Sequence, residues 1–214
     1  TPQEFNLYAN QAQMEIFEQY FYDLNQAHRD LGNDTGHADI DDMLEEKMQI
    51  FEDSVVGSTA VGTWTTSVGG GKIIPNHVYR VSRIELSGID CDILSTQEHR
   101  DAITGSYLVK PTQARPIANI SGNSILCVAN VGAIPTSVYY FRKPNKVSWG
   151  YFVLNTKALY DSNPSKTQHF ELHASEEAEL VYRTLKFAGL GMKRDDVAKG
   201  GQGLESLQTQ QEKQ

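Results

Sequence analysis

From Phe5 to Leu31 apolar side chains recur every three or four residues: Phe5, Ala9, Ala12, Ile16, Tyr20, Leu24, Ala27 and Leu31. That spacing is one face of an α-helix. Nothing interrupts it before Gly32-Asn33, so at 1.5 Å per residue the helix would span roughly 45 Å. Thr1 can cap it, Pro2 suits the first helical position, and Glu4 completes a capping box. Tyr8, Phe17, Phe21 and Tyr22 widen its apolar sector. A helix this long and this aromatic needs more than one surface to pack on. The stripe alone fits either a core helix of one molecule or a helix shared with another subunit.

After a loop over residues 32–38, a second helix is expected from Asp39, with Asp41 and Asp42 at its positive end. Ile40, Met43, Leu44, Met48, Phe51 and Val55 would form its buried face. The short connection predicts an antiparallel helical hairpin over residues 1–56.

From Gly57 the texture changes. Gly57-Ser58-Thr59 and Gly69-Gly70-Gly71 punctuate short β-type runs. Strands are expected at 62–67, 72–74, 77–86, 106–109, 125–130, 137–142 and 151–154. Pro75, Pro111, Pro116, Pro135, Pro144 and Pro164 fall between these or at their ends. Residues 96–103 read as a short helix or an irregular crossing. Residues 57–173 therefore read as an antiparallel β domain of sandwich or barrel type.

His169, Glu171 and His173 alternate with Phe170 and Leu172, as in a half-buried strand. Ser175 would then cap a closing helix over residues 174–190 that packs with the helical hairpin. Ala178, Val181, Leu185 and Ala188 form its stripe, and Gly189 its left-handed C-terminal cap. Residues 191–214 carry the break Gly200-Gly201-Gln202-Gly203, and residues 203–214 are polar and Gln-rich. They read as a flexible tail or docking arm. The fold class is α+β.

Composition narrows the function. A net charge of −8 disfavours a sequence-independent grip on phosphate backbones. No apolar run reaches transmembrane length and no signal peptide is visible, although the chain begins at Thr1 without Met. Cys91 and Cys127 make no disulfide framework and read as reduced, buried thiols of a protein made in the cytoplasm. Whether they could pair is not legible in sequence.

Several short matches to chemical motifs read better as plain structure. Asp34-Thr35-Gly36 matches the aspartic-protease triplet but lies between two helices, where a polar loop is the simpler reading. His169, Glu171 and His173 on one strand face could hold zinc with a fourth ligand, but no matching Cys or His completes the set. Gly69-Gly70-Gly71-Lys72 lacks the earlier glycine and the Ser or Thr of a phosphate-binding loop. Glu45-Glu46 and Asp41-Asp42 are solvated helix positions. Asn119-Ile120-Ser121 is a formal glycosylation site without meaning absent secretion. Arg142, Lys143 and Lys146 near Tyr139, Tyr140 and Trp149 could touch nucleic acid, but ordinary surface charge at a hairpin end explains them. No catalytic, cofactor or metal residue is expected.

Three segments taken together resemble a virion protein family. They are Glu4 to Phe21 (EFNLYANQAQMEIFEQYF), Ser137 to Tyr151 (SVYYFRKPNKVSWGY), and Phe170 to Leu190 (FELHASEEAELVYRTLKFAGL) followed by the polar tail. The family is the head-to-tail connector (neck, ring or adaptor) proteins of crAss-like and related Bacteroidetes tailed phages. The resemblance covers most of the chain and rests on texture and segment order. The order of helix pair, β domain, closing helix and tail is also similar to the adaptor beneath the portal of short-tailed phages. The β domain is larger than in simple helical adaptors.

The resemblance implies a non-enzymatic virion protein of the neck or tail, assembled in the host cytoplasm. It implies a ring, the partners being further copies (a dodecamer), the portal protein and other neck or tail proteins. Genomic DNA would pass through the channel without sequence-specific binding, and an acidic wall would let it slide. Phe17, Phe21, Tyr22, Leu204 and Leu207 are the residues expected at the contacts between subunits. Two rival classes remain: a β-sandwich binding module holding protein or carbohydrate through loops such as 87–93, and a metal-dependent hydrolase.

Overall fold

The computed structural model describes residues 1–29, 35–56, 72–105, 108, 110–129, 132–133, 135–161, 163 and 165–212. They form two units. One comprises residues 1–50 and 144–214, the other residues 51–143. The expected glycine hairpin at 69–71, the strand at 62–67, most of that at 106–109, and Asp34 lie outside the described residues.

In the first unit, α1 (Pro2–Arg29) buries Ala9, Ala12, Gln13, Ile16, Phe17, Tyr20 and Phe21. Its start uses the expected cap, Glu4 N donating to Thr1 Oγ1 at 3.4 Å. α2 (Thr35–Gln49) packs on α1. It begins at Thr35 rather than Asp39, so Thr35 and Gly36 are helical rather than loop, and it ends at Gln49, earlier than expected. Residues 52–56, read above as helix, belong to a strand of the second unit. Phe51 and Val55 fit a helical stripe, but Val55 and Val56 are β-branched and find a ladder partner.

The second unit is two sheets. β1 (Glu52–Val56), β3 (Val78–Leu86), β4 (Ile89–Asp90) and β9 (Ser137–Arg142) form one, in the order β1-β9-β3-β4. β2 (Lys72–Ile73), β5 (Asp92–Leu94), β6 (Ile117–Ser121) and β7 (Ser124–Val128) form the other, in the order β2-β7-β6-β5, with β8 (Gly132–Ala133) on β7. Both sheets contribute to one core: Val78, Ile84, Val138 and Tyr140 from the first, Ala118, Ile125 and Cys127 from the second, with Cys91 between. The β unit expected over 57–173 is thus present but spans 51–143, the residues from 144 onward belonging to the first unit, and its pairing is not wholly antiparallel. β5 and β6 pair in parallel, which requires a crossover. The crossover contains α3 (Thr96–Thr104), set by a capping box in which Ser95 and Glu98 satisfy each other's backbone N–H groups. Ser87 and Gly88, with φ of 54° and 80°, make the left-handed turn between β3 and β4.

The chain then returns to the first unit. β10 (Tyr151–Leu154) and β11 (Lys157–Tyr160) pair only with each other among the described residues. Residues 169–173 are not a strand. Gln168 bridges Ser148, and the segment then runs into a 3-10 turn at Ala174–Glu176. The cap is His173 rather than Ser175, its ring accepting from Ser175 N at 3.3 Å. α4 (Glu177–Gly191) packs on α1 and on α5 (Asp195–Glu212).

Here two expectations fail. Residues 195–212 are helix docked on α4, not a loose arm. One glycine of the expected break, Gly201, and Gly189 of α4 let the helices approach, while Gly200 and Gly203 face open space. A Cβ on Gly201 would lie 2.9 Å from Lys186 N, and one on Gly189 would lie 2.5 Å from Ala198 N. Gly189 is thus a crossing point inside α4, and the left-handed residue beyond the helix is Lys193, at φ 54°. The buried face of α4 is also rotated from the expected stripe. It carries Glu179, Leu180, Arg183 and Gly189.

Candidate interaction surface

Three amides on α1 organise the first unit. Asn6, Asn10 and Gln13 lie four and three residues apart and so share one helix face. Opposite them runs the extended segment 145–149. Trp149 N donates to Asn6 Oδ1 at 2.7 Å and Val147 N to Asn10 Oδ1 at 2.7 Å. Asn10 Nδ2 donates to Val147 O at 2.8 Å, and Gln13 Nε2 to Asn145 O at 2.9 Å. Gln13 Oε1 also accepts from Glu171 N at 3.1 Å. The Glu171 carboxylate accepts from Asn145 N and Nδ2 at 2.9 and 2.7 Å. The candidate zinc set is therefore committed elsewhere: Glu171 holds Asn145 and His173 caps a turn. Among the described residues no group of three His, Cys, Asp or Glu side chains could hold a metal ion.

The held segment presents Trp149 to Phe5, ring centroids 5.7 Å apart and nearly perpendicular. Together with Val147, Tyr160, His169 and Phe170 they line a cleft of about 450 Å³. Its wall is almost wholly apolar. Beside it stands the β10–β11 hairpin, closed by Asn155 and Thr156 at φ 49° and 65°, a type I′ turn. The base of the hairpin is tied down. Asp161 N donates to Gly150 O at 2.9 Å, and Lys166 pairs with the Asp161 carboxylate at 2.9 Å. Its blade is not covered. Phe152, Val153 and Leu154 are consecutive, so both faces are apolar, and they are 46%, 64% and 56% exposed. Leu159 and Tyr160 are exposed on the facing strand. Two strands alone are marginal in water, and a soluble monomer rarely leaves such a run bare.

A second bare apolar stripe lies on α4, where Val181 and Leu185 share a face and are exposed, as is Met192 at the C-cap. Leu204 and Leu207 are exposed on α5, and Tyr22 on α1. Phe17 and Phe21, expected at a contact with a partner, are instead interior. Their rings meet edge to face at 5.2 Å, and Phe17 has no exposed surface. The hairpin residues Phe152, Val153, Leu154 and Leu159 were not singled out from sequence. The signal was there: apolar residues at successive rather than alternate positions on both sides of Asn155-Thr156.

The buried charges of this unit are structural. Arg183 pairs with Glu179, Gln19 and Glu15 and lies 3.7 Å from Glu205, joining α1, α4 and α5. Lys47 of α2 pairs with Glu176 at 2.5 Å. Burial pushes the Glu179 carboxyl up to about 6, against the pull of Arg183. Burial acts the same way on Glu176, but Lys47 outweighs it and holds that group below its ordinary value.

The remaining sequence candidates have ordinary places. Asp42, Glu45 and Glu46 are exposed on α2. Asn119 is buried, its amide donating to Leu94 O at 3.1 Å, which is no glycosylation acceptor. The basic and aromatic residues at 139–149 divide between the two units. Tyr140 is buried and donates to Asp53 at 3.1 Å, while Arg83 covers the Tyr139 ring at 5.6 Å. Among the described residues no helix is long and apolar enough to cross a membrane. Compared with known proteins, the chain matches no family model and no curated protein.

Proposed function

We propose that this protein is a non-enzymatic building block of a tailed-phage particle, a ring-forming connector subunit between head and tail. The observation that carries the reading is the uncovered β10–β11 hairpin, apolar on both faces and hydrogen-bonded at its base. Burying surface of that kind against a neighbour is the driving force of association. The exposed stripe of α4 is a second, separate surface of the same character. Two different apolar surfaces on one chain suit a heterologous contact, in which one patch meets another on the next copy, and such contacts close into rings. The order of segments that resembles the connector family supplies the particular assembly. The C-terminal segment is not the clasp in this reading, because α5 is already engaged by its own α4.

The charge pattern is consistent with a DNA channel. Residues 1–50 hold 11 of the 27 acidic residues and 2 of the 19 basic ones. A segment so biased in charge repels a phosphate backbone rather than gripping it.

The test is assembly. Light scattering on the purified chain should give a monomer or weak association, and co-expression with the portal protein of the same particle should give rings visible by negative-stain imaging. A tight dimer that forms without the portal, with no ring in its presence, would overturn the proposal. A binding-module reading has one observation in its favour, the aromatic cleft, and glycan-array binding by the monomer would select it.

A further inference from the structure

The cleft of the first unit is walled by rings. Phe5, Trp149, Tyr160, His169 and Phe170 are five of its nine lining residues, so rings make up most of what an occupant would touch. Phe5 is 40% and Tyr160 50% exposed, so these rings are not used up in packing on the core. The wall offers little else. Val147 N and O are both bonded to Asn10, and Trp149 N to Asn6. Ser148 N and O are bonded to the Gln168 main chain at 3.2 and 2.9 Å. The Ser148 hydroxyl donates to Lys166 O at 3.0 Å, and that of Thr167 to Asp161 O at 2.5 Å. A ligand group that must donate or accept hydrogen bonds would lose its water here and find these atoms already engaged.

The unit around the cleft is acidic. Residues 1–50 and 144–214 hold 20 of the 27 acidic and 11 of the 19 basic residues, a net charge of −9, against +1 for residues 51–143. Glu4 and Glu171 are the chain neighbours of the ring residues Phe5 and Phe170. Lys146, next to Val147, is an opposing charge, while Lys166, next to Thr167, is paired with Asp161 at 2.9 Å. An apolar cleft in a field of that sign gathers cations rather than anions.

We infer that the cleft is a binding site for a quaternary ammonium group, as carried by choline or a trimethylated amine. Three features together select that chemistry. Aromatic rings attract a cation through their negative faces. The wall favours a cation without N–H groups, because a primary ammonium brings three donors and a guanidinium five, all needing partners. The charge of the unit favours a cation over a neutral molecule of the same shape. A sugar fails on the second count and an anion on the third. A volume of about 450 Å³ is ordinary for a small-molecule site and leaves room for the rest of the ligand beside its head. The site goes beyond the assembly reading and does not depend on it.

The experiment titrates the full chain, at fixed ionic strength, with tetramethylammonium and with choline, following tryptophan emission and ligand-detected NMR. The controls are dimethylbutanol, the uncharged carbon isostere of choline; ethanolamine, its primary-amine counterpart; and methyl glucoside, a neutral sugar. Choline should bind about tenfold more tightly than its isostere, and ethanolamine more weakly than choline. Trp149→Leu should lose the binding, and Trp149→Phe should keep part of it. Tyr160→Leu alters a half-exposed ring, so it tests the site even where the Trp149 variants fold poorly, and it should weaken choline. No binding of either quaternary ion overturns the inference. So does equal affinity for the isostere, ethanolamine bound as tightly as choline, or a preference for the sugar.

Discussion

Asn10 and Val147 exchange two hydrogen bonds: Val147 N donates to Asn10 Oδ1 at 2.7 Å, and Asn10 Nδ2 donates to Val147 O at 2.8 Å. A helical side chain here takes the place of a neighbouring strand. The segment it holds has no ladder of its own at this point, so its N–H and C=O groups would otherwise be buried without partners. Asn10→Leu removes both bonds and leaves the Val147 peptide unsatisfied. The expected cost is about 2 to 4 kcal/mol, read as a lower urea midpoint. Asn10→Asp keeps the acceptor and should cost less. Equal stability of both variants with the parent would show that the Asn10 clamp does not hold the segment.

The glycines of α5 give a prediction of sign. In an exposed helix, Gly→Ala stabilises by about 1 kcal/mol. A Cβ on Gly203 meets nothing within 4 Å, so Gly203→Ala should follow that rule. A Cβ on Gly201 would lie 2.9 Å from Lys186 N and 3.1 Å from Tyr182 O, so Gly201→Ala should destabilise. Thermal melting of the two variants separates a docked helix from a loose arm. Stabilisation by both would mean that α5 does not pack on α4.

These glycines also explain where sequence reading stopped. The α+β order, the stripe of α1, and the spans of β9 and β10 were legible because each is carried by local periodicity. α5 was not, because three glycines and a run of glutamines score as coil unless the helix opposite is known. The α2 boundary failed because Met48, Phe51 and Val55 satisfy a helical stripe while Val55 also satisfies a strand. His169, Glu171 and His173 alternate like a strand, yet Glu171 N is taken by Gln13 of α1 and no ladder forms there. The apolar blade of β10–β11 was half visible: its first strand was read, but its exposure follows from the fact that no third strand pairs with it among the described residues.

Glu179 sets a pH dependence. Its folded pKa, about 6, lies above the ordinary 4.5. The folded state therefore holds this proton more tightly than the unfolded state, and its contribution to stability falls as pH rises from about 4.5 through 6. The full effect is at most about 2 kcal/mol. Glu179→Gln mimics the protonated form. Its stability relative to the parent should rise by up to that amount between pH 5 and pH 7.5, in parallel urea titrations. Glu176 is depressed, so its contribution is lost as pH falls, and Glu176→Gln should be worst at pH 7.5, where Lys47 is left without its partner. A relative stability of Glu179→Gln that fell as pH rose would mean that the Arg183 pair, not burial, governs this carboxyl, and a pH-independent difference would mean that the two cancel.

The last prediction concerns the hairpin. Val153 and Leu154 point to opposite faces of β10 and are both more than half exposed. Replacing both with Thr keeps strand propensity and removes apolar area from the two faces at once. Because neither side chain is buried in the monomer, melting should change by no more than a few degrees. Assembly should respond differently, since each uncovered side chain would lie at the contact. Ring formation with the portal should fall by tenfold or more, as loss of roughly 1.4 kcal/mol per contact requires. The paired control is Val181→Thr with Leu185→Thr on α4, the second uncovered stripe. Loss of rings with either pair and unchanged melting is the signature of a heterologous contact between the two surfaces. Unchanged ring yield with the hairpin pair would remove the observation on which the assembly proposal rests.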